Sequence, residues 1–104
     1  MLNITIKYLQ DYLKTKDYEP DNKEKYFLWL IEEVGELARV MRRGAVQATE
    51  ENIKGTLEEE LWDVLYYVLA IANAYDIDME KWIPIKERQN NEKHGHEGVK
   101  FDPR

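Results

Sequence analysis

Residues 27–44 read FLWLIEEVGELARVMRRG, an apolar run that is interrupted by Glu32, Glu33 and Glu36. At about 100° per residue, a helix over this run has one apolar arc, formed by Leu30, Val34, Leu37, Ala38 and Met41. Glu33 and Glu36 lie together on the flank of this arc, partly turned toward the core, and Glu32 lies further toward solvent. Charged side chains so close to an apolar arc require an explanation beyond solubility.

A second stretch, EEELWDVLYYVLA at residues 58–70, repeats the arrangement. Its helix has an apolar arc made of Leu57, Leu61, Val64, Val68 and Ala72. Glu60 and Asp63 lie on the flank of that arc at the same offset. If the two helices pack side by side, the four carboxylates of the two flanks converge in a half-buried place. Like charges repel there, and a bound divalent cation is the usual way to offset the repulsion.

The pattern E-E-x-x-E followed by E-x-x-D resembles the MazG-like nucleoside triphosphate pyrophosphohydrolases of the all-α NTP pyrophosphatase superfamily, which also contains dimeric dUTPases and dCTP pyrophosphatases. It occurs here as Glu32-Glu33-x-x-Glu36 and Glu60-x-x-Asp63, and the resemblance extends from Lys7 to Gly95. The resemblance implies hydrolysis of nucleoside triphosphates to the monophosphate and pyrophosphate. It also implies that sites are built at contacts between subunits.

The expected metal ligands are Glu33, Glu36, Glu60 and Asp63. Hard oxygen ligands favour Mg²⁺, or Mn²⁺ as a substitute, over zinc. A di-iron carboxylate bundle is disfavoured, because such bundles use Glu-x-x-His motifs and the only histidines are His94 and His96 near the C-terminus. By the resemblance, Glu33 and Glu36 also act in catalysis. Glu32, near the cluster but on a different face, is a candidate for the general base or for a residue that supports the ligands.

Substrate-binding residues are expected on the last helix, where Lys86, Asn90 and Lys93 share one face. Composition alone would make this a solvated surface, but MazG-like proteins use residues in this order to hold nucleotide phosphates. Trp29 lies one turn before Glu33. It is either a core residue, as most aromatic residues at helical spacing are, or a platform on which the base or sugar of the nucleotide stacks.

The fold predicted from these patterns is all-α, an antiparallel bundle of about four main helices with a central acidic pair. One domain is expected over residues 1–104, with residues 96–104 as a short polar tail. The predicted helices run from Asn3 to Lys16, from Asp21 or Asn22 to Arg43, from Thr56 to Tyr75, and from just after Asp78 to Gly95. Gly35 inside the second helix costs about 1 kcal/mol against alanine, which predicts close approach of another helix or of the metal site.

Composition narrows the possible functions. The chain has 104 residues, no cysteine and a net charge of −6, which excludes disulfides and thiolate zinc sites and argues against binding nucleic acid. No signal peptide or membrane span is recognisable, so a cytoplasmic protein is expected. Three Trp and seven Tyr in so short a chain predict a homodimer or homotetramer. The alternative function is a non-enzymatic helical interaction module with an acidic docking face, which would bind no metal.

Overall fold

The computed structural model describes residues 2–93, 95 and 100–102, and it confirms the all-α prediction. It contains four helices, α1 (Ile6–Lys16), α2 (Lys23–Arg43), α3 (Leu57–Ala74) and α4 (Met79–Lys93). Among the described residues the only β pairing is an isolated bridge between Thr49 and Asn52. Residues 100–102 of the predicted tail have no regular structure, and His94, His96 and the rest of the tail lie outside the described residues.

The helix ends follow the capping signals of the sequence. Thr56 Oγ1 accepts a hydrogen bond from the Glu59 amide at 3.2 Å, and Glu59 Oε1 accepts one from the Gly55 amide at 2.9 Å, so α3 begins as predicted. The start of α1 was predicted too early. Thr5 is its N-cap and accepts from the Tyr8 amide at 3.0 Å, so the first helical residue is Ile6.

Helices α2 and α3 pack against each other as the central pair, and their core consists of Tyr26, Ala70 and Ala74, with Trp29, Tyr67 and Ile71 packed around them. Near the other end of the pair, Arg43 Nη2 donates to the carbonyl of Gly55 at 3.0 Å. Early residues of α2 thus lie beside late residues of α3, and the reverse holds at the other end. The two helices are therefore antiparallel.

The predicted apolar arcs are only partly the buried ones. On α2 the fully buried residues are Tyr26 and Val40, whereas Val34 is 44% exposed and Met41 is 63% exposed. On α3, Ala72 is buried but Leu61 is 52% exposed. Periodicity could not choose the correct arc, because apolar residues cover more than one side of each helix. Compared with the predicted arcs, the buried side of each helix is rotated toward the carboxylates. The carboxylates therefore lie nearer the contact between the helices than expected.

This rotation leaves apolar side chains on the surface at helical spacing. We call them the apolar stripe, which comprises Phe27, Ile31, Val34 and Met41 on α2 and Leu61, Leu65 and Val68 on α3. Gly35 is also exposed, and a Cβ atom placed on it would meet nothing within 4 Å. The close approach predicted at Gly35 is therefore not made within this chain.

Two polar clusters fix the other helices to the central pair. Asp17, just after α1, accepts hydrogen bonds from the hydroxyl groups of Tyr26 at 2.9 Å and Tyr66 at 2.8 Å. Burial and the bond to Asp17 raise the pKa of Tyr26 to about 12. The connection between α1 and α2 is thereby held against both central helices.

The second cluster joins three helices through buried amides. Gln10 Nε2 on α1 donates to Asn73 Oδ1 on α3 at 2.9 Å, and Asn73 Nδ2 donates back to the Gln10 carbonyl at 2.9 Å. Gln10 Oε1 also accepts from the amide of Met79, the first residue of α4, at 3.1 Å. Helix α4 makes its main contact with α1 and none of its residues is fully buried.

Candidate metal centre

Three carboxylates meet between α2 and α3, one from the middle of α2 and two from the first two turns of α3. One oxygen atom from each of Glu33, Glu60 and Asp63 lies within 4.8 Å of the other two. Glu60 and Asp63 lie three residues apart and therefore project from one face of α3, and Glu33 reaches the same place from α2. Glu60 is only 6% exposed. The structure thus brings together three of the four predicted ligands.

The pKa of each of these three carboxyl groups is raised. Burial is the largest cause in every case, because it disfavours the charged form. Neighbouring carboxylates add to the shift: Asp63 and Glu60 act on Glu33, whereas Asp63 and Glu59 act on Glu60. Because these carboxylates disfavour one another's ionised form, a bound cation would stabilise the cluster.

Glu60 Oε2 is a second feature that suits a cation. This atom is buried and has no hydrogen-bond partner among the described residues. A buried acceptor without a partner costs about 1–3 kcal/mol, and more when it is charged. Three hard oxygen donors around such an atom suit Mg²⁺, which is usually held by a few carboxylates, with water and phosphate oxygens completing its shell.

Glu36 lies beside the cluster but has another partner. Its charge raises the pKa values of Glu33 and Glu60, so its carboxylate is close to both. In this structure Glu36 Oε2 accepts a hydrogen bond from Arg39 Nη2 at 2.5 Å. The role of Glu36 as a fourth ligand stays a prediction. Arg39 was not singled out from the sequence, although its spacing of three residues from Glu36 is a standard signal for an ion pair on a helix.

Glu32 is exposed, and its charge reaches the site only weakly. The pKa of Tyr67 is raised mainly by burial, and among the charges that add to this shift, those of Asp17, Glu33 and Asp63 contribute more than that of Glu32. The position of Glu32 one residue before Glu33 places it outside the buried contact between the helices. Its role as a base stays a prediction.

Trp29 is built into the core beside the cluster. Its ring makes an edge contact with Tyr26 at 6.1 Å between centroids and a tilted contact with Tyr67 at 5.7 Å. Lys25 Nζ lies 4.6 Å from its ring centroid. These contacts support the core interpretation of Trp29 and leave its stacking on a nucleotide as a prediction.

The α4 residues that were predicted to bind phosphate are two exposed lysines and a half-buried asparagine. Lys86 and Lys93 are exposed, and neither has an ion pair or hydrogen bond through its side chain within the described part of the chain. Asn90 Nδ2 donates to Glu87 Oε2 at 3.4 Å. No hydrogen bond or ion pair of the described residues joins this face to the three carboxylates, so their joint action on a substrate stays a prediction.

A pair of antiparallel helices, with one carboxylate from the middle of α2 and two from the first two turns of α3 brought together, defines a helical protein built around a candidate metal centre. The family model for the MazG nucleotide pyrophosphohydrolase domain matches residues 21–94, and the chain belongs to this family. The match includes α2, α3 and α4 and therefore every predicted site residue. Family membership favours a pyrophosphohydrolase over an acidic interaction module, and members of the family are typically metal-dependent.

Solved structures give the same result. Ctag-iMazG from Vibrio DAT 722 is 45% identical, with a TM-score of 0.79 over 85% of this chain and 99% of that chain. Ntag-iMazG from the same source is also 45% identical, with a TM-score of 0.79 over 86% of this chain and 97% of that one. No curated protein matches the chain. In the part of the chain that the structure describes, no helix has the length and apolar character needed to cross a membrane.

Proposed function

We propose that this protein hydrolyses nucleoside triphosphates to nucleoside monophosphates and pyrophosphate, with Mg²⁺ as cofactor or Mn²⁺ as a substitute. The observation that carries the proposal is Glu60 Oε2, a buried oxygen without a partner at the centre of a carboxylate cluster in a MazG domain. Cleansing of the cytoplasmic nucleotide pool is the role that suits such an activity.

In this proposal Glu33, Glu60 and Asp63 hold the metal, and Glu36 completes the set of four carboxylates. When bound, Mg²⁺ neutralises phosphate charge and lowers the pKa of a coordinated water. Burial helps these residues to act together, because the electrostatic attraction of carboxylates for a cation is stronger where water is excluded. The antiparallel packing of α2 and α3 fixes the spacing of the ligands before the metal arrives.

The reaction is an attack by water on the α-phosphorus. A bond forms between the water oxygen and that phosphorus, the bond to the α–β bridging oxygen breaks, and pyrophosphate leaves with the bridging oxygen. The proton of the water passes to a base, for which Glu32 is the candidate. Its exposure lets it hand the proton on to solvent.

Substrate binding and assembly are linked. The apolar stripe on α2 and α3 is uncovered in a single chain, and large exposed apolar patches mark contacts between proteins. A homodimer or homotetramer would cover it. Such an assembly would also let Lys86, Asn90 and Lys93 of one subunit approach the carboxylates of another and hold the phosphates there, with Trp29 beside the nucleotide.

The experiment is hydrolysis of a panel of normal and modified nucleoside triphosphates in ¹⁸O-labelled water with Mg²⁺, followed by mass spectrometry of the products. Attack at the α-phosphorus places the label in the nucleoside monophosphate and leaves pyrophosphate unlabelled. Release of nucleoside diphosphate and orthophosphate, or label in pyrophosphate, would overturn the assignment. Omission of the metal should abolish the reaction.

A further inference from the structure

Arg39 lies beside the carboxylate cluster and is the cation that the structure pairs with it. Its guanidinium donates to Glu36, and the negative charges of Glu36 and of Glu60 raise the pKa of Arg39. Arg39 is therefore bonded to Glu36 and lies within the electrostatic reach of Glu60. Lys86 and Lys93, the cations proposed for phosphate binding, have no such contact within the described residues.

The ion pair between Arg39 and Glu36 is weak enough for another cation to replace Arg39. The two side chains are 50% and 46% exposed, and ion pairs of such exposure between residues three apart on a helix contribute little to stability. Glu60, in contrast, is buried, and neither it nor Glu33 nor Asp63 forms an ion pair among the described residues. The fourth carboxylate is thus occupied by a weakly held internal cation.

We infer that Arg39 is a counter-ion with two positions, and this inference rests on the proposed function. Without metal it neutralises Glu36, and when a divalent cation takes that carboxylate, Arg39 turns to the polyphosphate of the substrate. Arginine suits both partners, since its planar guanidinium donates two parallel hydrogen bonds to a carboxylate or to a phosphate. A metal and Arg39 compete for Glu36, whereas the substrate and Arg39 attract each other.

This arrangement predicts effects of opposite sign from one substitution. Arg39→Gln removes the competitor and a positive charge near the metal, so the dissociation constant of Mg²⁺ should fall about two- to fivefold. The same variant lacks the phosphate contact, so nucleotide should bind about tenfold more weakly. If Arg39 served only to hold α2 in place, its substitution would weaken the binding of Mg²⁺ and the binding of nucleotide alike.

The test uses isothermal calorimetry in two arms. The first titrates Mg²⁺ into the metal-free protein. The second titrates the α,β-methylene analogues of ATP, GTP, CTP and UTP into the protein with saturating Mg²⁺, and it follows the analogue that the parent binds best. Arg42→Gln is the matched control, because it removes the same charge from the same helix at an exposed residue that has no ion pair among the described residues.

We expect Arg39→Gln to bind Mg²⁺ more tightly and the analogue more weakly, with Arg42→Gln close to the parent in both arms. Arg39→Lys keeps the charge but not the paired donors, so it should restore the Mg²⁺ affinity of the parent and only part of its nucleotide affinity. Equal or weaker Mg²⁺ binding by Arg39→Gln, or an unchanged nucleotide affinity, would overturn the inference. A parent that binds neither Mg²⁺ nor any analogue would instead overturn the proposed function.

Discussion

Glu33 on α2 and Glu60 on α3 each place one carboxylate oxygen within 4.8 Å of the other's, and two carboxyl groups so close together disfavour each other's ionised form. Burial raises the pKa of Glu33, and the charges of Asp63 and Glu60 raise it further. Burial also raises the pKa of Glu60 above its ordinary value. The two groups therefore titrate as a coupled pair, and a metal ion bound here would compete with protons for the same oxygens.

Replacing Glu60 by Gln should separate activity from stability. The substitution removes a buried charge at nearly constant shape and places an amide donor beside Glu33, so in chelator the melting temperature should equal or exceed that of the parent. Activity should fall by more than about 100-fold, because a buried ligand is lost. Thermal melts with chelator and with Mg²⁺, beside one activity assay, measure both effects.

Glu36→Gln is the comparison for that experiment. Glu36 is paired with Arg39 and half-exposed, so its replacement should alter the stability in chelator less than Glu60→Gln does. Mg²⁺ should raise the melting temperature of the parent more than that of either variant. Marked destabilisation of Glu60→Gln in chelator, together with no Mg²⁺ shift in any of the three proteins, would make Glu60 a structural residue.

The stability of the metal-free protein should rise as the pH falls from neutral toward 4.5, the ordinary pKa of glutamic acid. The pKa values of Glu33, Glu60 and Asp63 are raised in the folded state, so over this range the folded chain binds more protons than the unfolded chain. Their stabilising effect is complete below the unfolded pKa values and is lost as the pH rises through the folded ones.

Chemical denaturation of the parent and Glu60→Gln at several pH values, in chelator, isolates this effect from the titration of other groups. The advantage of Glu60→Gln should be largest near neutral pH and should shrink in acid. Saturating Mg²⁺ should reverse the trend for the parent, since protons then displace the metal. An advantage that is constant with pH would show that Glu60 titrates normally in the folded state.

Lys86→Ala and Lys93→Ala should raise KM for the triphosphate about tenfold with the melting temperature unchanged. Both side chains are exposed and contribute little to folding, whereas a charge-assisted bond to phosphate is strong. Arg88→Ala is the matched control, because it removes a cation from the opposite side of α4. Steady-state kinetics measure KM. Unchanged kinetics in both lysine variants would show that this face of α4 is ordinary solvated surface with no role in phosphate binding.

Met41→Lys should dissociate the proposed oligomer without unfolding the chain. Met41 is exposed on the apolar stripe, and lysine is favourable near the C-terminal end of α2. Light scattering should show the variant shifting toward the 12.5 kDa single chain, and circular dichroism should show unchanged helix content. Tyr8→Lys, an equally polar change at an exposed residue of α1, should leave the mass of the parent unaltered. A parent that is itself monomeric at working concentration would contradict the oligomer.

The sequence predicted the helices well where a local signal marks their ends. Thr56 with Glu59 marks the start of α3, and Gly44 after two arginines marks the end of α2. The convergence of Glu33 with Glu60 and Asp63 was also predictable, because the matching offsets survive any moderate rotation of the two helices. The helix ends depend on residues within one or two turns of each other, and the matching offsets depend on the spacing of residues within each helix.

Features that depend on partners distant in the chain were not predictable. Val34 and Tyr26 are both apolar at helical spacing, and only the packing of Tyr26 under Ala70 and Ala74 decides which side of α2 is buried. Gln10 is polar and lies on an amphipathic helix, so nothing local indicates that its amide is buried against Asn73, 63 residues away. Such pairings exist only once the helices have met.

The hydrogen bonds of the Gln10 side chain should be unaffected by acid. Amide groups carry no charge at any ordinary pH, so the bonds from Gln10 to Asn73 and to the start of α4 are insensitive to the protonation that empties the carboxylate cluster of its charge. Acid should therefore change the occupancy of the candidate metal centre without changing the orientation of α4. Hydrogen exchange at the Met79 amide should stay slow in mild acid while Mg²⁺ is released, so that loss of metal and loss of architecture occur as two events.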